Sequence, residues 1–169
     1  MQKNTVQITL GGVLTALAMI FSYIESMIPI PVPIPGIKLG IANIAIITVL
    51  YVLGSRQAVL INLLRITLTA VLFGNFNSFL FSMAGGIFSL AVMILLKHMK
   101  AFSIIGVSVA GGVCHNIGQI TAAVFLMNTS AIYYYLPVLL VAGIITGIVI
   151  GVAGGLVIQR VLPVIKKEE

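Results

Sequence analysis

A chain of 169 residues that is 60% hydrophobic and 7% charged has the length of one domain and the composition of an integral membrane protein. It has no aspartate, and its three glutamates are Glu25, Glu168 and Glu169. That excludes chemistry built on clustered carboxylates: Mg²⁺-held diphosphate transfer, carboxylate metal hydrolysis and glycoside hydrolysis. The net charge of +6 is spread singly along the chain with no basic stripe, which argues against nucleic acid, and the lone Cys114 allows no disulfide or cysteine metal site within the chain.

At about 20 apolar residues per crossing, the pattern predicts an all-α bundle of six spans in a single membrane domain, residues 1–169: 7–28, 39–54, 57–73, 78–97, 102–127 and 132–161. In the first span Gly12 and Ala16 form a small-residue ridge, read either as packing within the bundle or as a docking surface for another membrane subunit. Glu25 lies near the far end of that span. Prolines at 29, 31, 33 and 35 then predict an extended connector, with Gly36 allowing a turn. The second helix is expected to begin around Lys38 to Gly40, its free N–H groups facing the outer mouth, with Asn43 one turn inside. The second and third spans are short enough to be read alternatively as a hairpin tucked among longer neighbours. Arg65 falls halfway along the third. The fifth carries His115, Asn116 and Gln119, of which His115 and Gln119 share a face and Asn116 lies beside it. Gly143, Gly147 and Gly151 make a second small-residue ridge in the sixth.

Charge sets the expected orientation. With the N-terminus inside, Lys3, Arg56, Lys97, Lys100, Arg160, Lys166 and Lys167 fall on the cytoplasmic side and only Lys38 outside, which predicts both termini in the cytoplasm. The intramembrane polar residues then stand out, because a charge at membrane depth costs about 2.5–3.5 kcal/mol on insertion scales unless partnered. Glu25 can pair with Lys38 or Arg65, but one cation is left over for an anionic ligand. Metal binding is not expected, since His98 is the sole second imidazole and lies at the opposite side.

The run from Lys38 to Asn43, Arg65, the Gly85–Gly86 pair, and Gly106 and Ser108 followed by His115, Asn116, Gly118 and Gln119 resemble the family called heptaprenyl diphosphate synthase component I, or Gx transporters. That family is grouped with the S components of energy-coupling factor transporters. The resemblance implies a six-helix S-component-like fold that binds a small molecule on the outer side. It also implies docking, through Gly12 and Ala16, onto a transmembrane T component driven by ATPase subunits; glycine replaces the family's usual alanine at position 12.

Two functions are weighed. The first is a substrate-capture subunit in the cytoplasmic membrane, with Glu25, Lys38, Asn43, Arg65, His115, Asn116 and Gln119 lining the pocket and no cofactor. The second is a noncatalytic accessory subunit of isoprenoid or quinone synthesis, its cations holding a diphosphate. No catalysis by the chain alone is expected: Asp-rich prenyltransferase motifs and a phosphate-binding loop are both missing from the sequence. The outer placement of Lys38 and His115 favours capture over handling of a cytosolic diphosphate.

Overall fold

A computed structural model describes residues 2–28, 38 and 40–167. The described chain is helical, without strands: α1 (Gln2–Met27), α2 (Asn43–Val52), α3 (Ser55–Phe73), α4 (Phe76–Met99), α5 (Ile104–Met127), a 3-10 turn at Ser130–Tyr135, and α6 (Leu136–Lys167). The expected extended run at 29–36 lies outside the described residues. Five helices are long and apolar enough to cross a membrane, and α2 is not. Large apolar side chains such as Leu60, Leu64, Val71, Ile145, Val149 and Leu156 point outward, while Glu25, Asn62, Arg65, His115 and Gln119 are buried. Apolar side chains facing out and polar ones facing in is the arrangement a lipid environment demands.

Five of the six expected spans correspond to full-length helices. The second differs. Its ten residues rise about 15 Å, half a bilayer core. Ile46, Ile47, Val49 and Leu50 are wholly buried, so α2 is held mainly by protein and is under little demand to match the thickness of the lipid. Only this half of the expected hairpin is tucked inside, because α3 is long and apolar enough to span. Gly54, at φ 99°, turns the chain from α2 into α3.

The other helices enclose α2. It packs against α6, α3 and α1, while α5 lies between α4 and α6 with the most extensive contacts in the fold. Glycine permits that closeness. A Cβ on Gly112 would lie 2.5 Å from the Gly143 carbonyl oxygen, one on Gly147 2.6 Å from Val109 Cα, and one on Gly151 2.7 Å from Ile105 Cα. The Gly143–Gly151 ridge therefore packs within the bundle, against α5.

Both ends of α2 are terminated by charges from other helices. At its C-terminal end the Lys97 ammonium donates to the Leu50 carbonyl. At its start Glu25 of α1 accepts from the Gly40 and Ile41 N–H groups, the latter at 3.2 Å. An anion at the N-terminus and a cation at the C-terminus complement the helix dipole. Because Glu25 comes from another helix, the N-cap position can be Ala42, which offers no capping side chain.

Candidate functional site: a buried polar cluster at the start of α2

Four helices deliver the polar groups. From α3, Arg65 is 4% exposed. Its Nε and Nη2 donate to Asn62 Oδ1 at 3.2 and 3.0 Å, Nη1 donates to Ser22 Oγ at 3.3 Å, and Nη2 reaches Asn43 Oδ1 at 3.4 Å. Asn62 is itself fixed, its amide donating to the Gly86 carbonyl of α4 at 3.1 Å. Every acceptor around the guanidinium is neutral.

The second group is on α5. Gln119 Oε1 accepts the Lys38 backbone N–H at 3.2 Å, which orients the amide and turns its Nε2 toward His115 Nε2 at 3.1 Å. An amide nitrogen only donates, so His115 Nε2 must accept and the ring proton sits on Nδ1. Gly40 closes the space between the groups: at φ 89° it takes a backbone conformation suited to glycine, and a Cβ there would come within 3.3 Å of the His115 ring. Gly85 of α4 supports the ring from the other side, since its Cβ would lie 2.7 Å from the His115 carbonyl oxygen.

Six of the seven residues singled out from the sequence thus gather here: Glu25, Lys38, Asn43, Arg65, His115 and Gln119. Asn116 stands apart. Its amide donates to the Leu139 carbonyl at 2.6 Å, joining α5 to α6. One residue's step around a helix is about 100°, which carries the side chain off the His115–Gln119 face. Glu25 also departs from expectation. Among the described residues neither Lys38 nor Arg65 comes within ion-pairing distance of a carboxylate. Glu25 instead accepts from the N–H groups at the start of α2 that the sequence predicts to be free.

Asn62 and Ser22 were missed by sequence reasoning. Asn62 was legible in principle, three residues before Arg65 on the same helix face. Ser22 carried no such signal. Among the described residues, five buried side-chain polar atoms lack a hydrogen-bond partner: Thr69 Oγ1, Ser82 Oγ, Ser89 Oγ, His115 Nδ1 and Asn116 Oδ1.

On the outer surface of the bundle, Gly12 and Ala16 are exposed, and nothing lies within 4 Å of where a Gly12 Cβ would stand. They line an open groove of about 590 Å³ between α1 and α3, with Gly11, Thr15, Leu60 and Leu64 along it. Among the described residues nothing packs against Gly12.

The family model for heptaprenyl diphosphate synthase component I matches residues 14–157. The chain belongs to that family. Searches of curated proteins and of solved structures return no match. The matched region takes in every residue of the polar cluster.

Proposed function

We propose that this component I protein is a noncatalytic, membrane-embedded binding subunit of a transporter, capturing a small anionic or polar molecule from the outer side. One observation carries the reading: two cations, the buried Arg65 and the half-buried Lys38, lie at a cluster whose carboxylate accepts from the start of α2. The surplus positive charge suits a ligand that brings its own negative group. The Gly12–Ala16 groove would receive a T component, and ATP hydrolysis would come from separate ATPase subunits. The bias of Lys and Arg supports an orientation with both termini in the cytoplasm.

The family description supports a second reading, an accessory subunit of prenyl diphosphate synthesis, in which the same cations hold a diphosphate. The lack of aspartate denies that subunit its own Mg²⁺ chemistry.

Mass spectrometry of molecules extracted from gently purified protein separates the two. A small polar or anionic compound retained by wild type and lost in Arg65→Gln supports capture. A prenyl diphosphate in its place supports the accessory reading. Mg²⁺-dependent prenyl transfer by the pure chain would overturn both.

A further inference from the structure

Thr69 and Ser82 are buried in an apolar bundle, 3% and 6% exposed, with no partner for either hydroxyl among the described residues. Four other helical threonines satisfy themselves. Thr15, Thr48, Thr121 and Thr146 each donate to the carbonyl four residues back, at 2.7–2.8 Å. Thr69 does not use the Arg65 carbonyl in this way. A hydroxyl left unpaired in such surroundings costs about 1–3 kcal/mol, which an incoming acceptor would recover.

Helix register puts the two hydroxyls at one level. Ile66 of α3 and Gly86 of α4 are in contact and the helices run antiparallel. One turn toward the α3–α4 junction, Thr69 comes level with Ser82. Gly85 lies between His115 and Gln119 of α5, so the next turn of α4 carries Ser82 toward the Gln119 end of that pair. Thr69 is also one turn beyond Arg65 on a shared face. Arg65 has five N–H donors, four of them engaged, and the fifth, on Nη1, has no acceptor among the described residues.

We propose that Thr69 and Ser82 are ligand contacts which, with Arg65, take an oxyanion group of the captured molecule, a carboxylate or a phosphate. This rests on the binding reading above and adds to it the chemical class recognised and two residues that recognise it. Both hydroxyls donate to anion oxygens, and the guanidinium supplies the charge. No metal is required, and Glu25 stays on α2.

The test is thermal unfolding of the detergent-purified full chain titrated with sodium acetate or sodium phosphate, against sodium chloride at equal ionic strength. Wild type should show a saturable rise in midpoint with one of the two anions, and which one distinguishes carboxylate from phosphate. Thr69→Val and Ser82→Ala should each weaken the apparent affinity about tenfold to a hundredfold, the value of a hydrogen bond to a charged group. Their midpoints without anion should match or exceed wild type, because each change removes an unpaired buried hydroxyl, and Thr69→Ser should restore most of the affinity. If Arg65→Gln abolishes the response while Thr69→Val and Ser82→Ala leave it unchanged, the two hydroxyls are not contacts and the binding reading survives. If neither anion acts on wild type beyond chloride, the oxyanion assignment is overturned, and the co-purified compound alone then decides the binding reading.

Discussion

Glu25 is 2% exposed, yet no basic side chain neutralises it at close range; backbone N–H groups at the start of α2 do so. Two effects of opposite sign meet there. Burial penalises the carboxylate, while charge-assisted hydrogen bonds and the positive end of the helix favour it. If the favourable terms win, Glu25→Gln should lower stability by about 1–3 kcal/mol, read as a lower midpoint in thermal unfolding. A higher midpoint would mean that desolvation dominates, as it does for many buried charges. The sequence made Glu25 conspicuous because the other two glutamates are the last two residues. It did not show the partner, because helix N-terminal N–H groups leave no mark in residue identity. The same blindness applies to Arg65: composition leaves it short of carboxylates, but only the folded chain shows Asn62, Ser22 and Asn43 around it.

At the scale of the helix, glycine has two different uses that sequence spacing alone does not separate. Gly12–Ala16 and Gly143–Gly147–Gly151 have the same four-residue period. The second ridge is pressed against α5; the first faces an open groove. Gly147→Ala should therefore force α5 and α6 apart and cost about 1–3 kcal/mol. Gly12→Ala should leave the isolated protein's stability unchanged or slightly raised, since alanine is the better helix former. Paired unfolding curves of the two variants check this; equal losses would show that Gly12 packs against something within the chain. The length of α2 was the hardest feature to read in advance. A run of apolar residues looks the same whether it spans lipid or is buried inside protein, and only burial on every side distinguishes the two.

Across the whole bundle, the basic residues collect at one end. Lys97 reaches the last turn of α2, so the end of α4 lies beside the α2–α3 turn that carries Arg56. Gly151 packs on Ile105 at the start of α5, which brings the second half of α6, and with it Arg160, toward that same end. The opposite end holds the approach to the polar cluster, where Glu25 meets the start of α2. If the basic end is cytoplasmic, as the bias of positive charge in membrane proteins requires, the cluster is reached from outside. Single cysteines in a Cys114→Ala background test this. Thr129→Cys sits between α5 and the 3-10 turn at the far end, and Met99→Cys at the basic end; both positions are exposed. In intact cells an impermeant maleimide should label Thr129→Cys and spare Met99→Cys until the membrane is opened. The reverse pattern would turn the cluster toward the cytosol. There the capture reading loses its source of ligand, and a diphosphate made in the cytosol becomes the molecule that Lys38 and Arg65 are placed to meet.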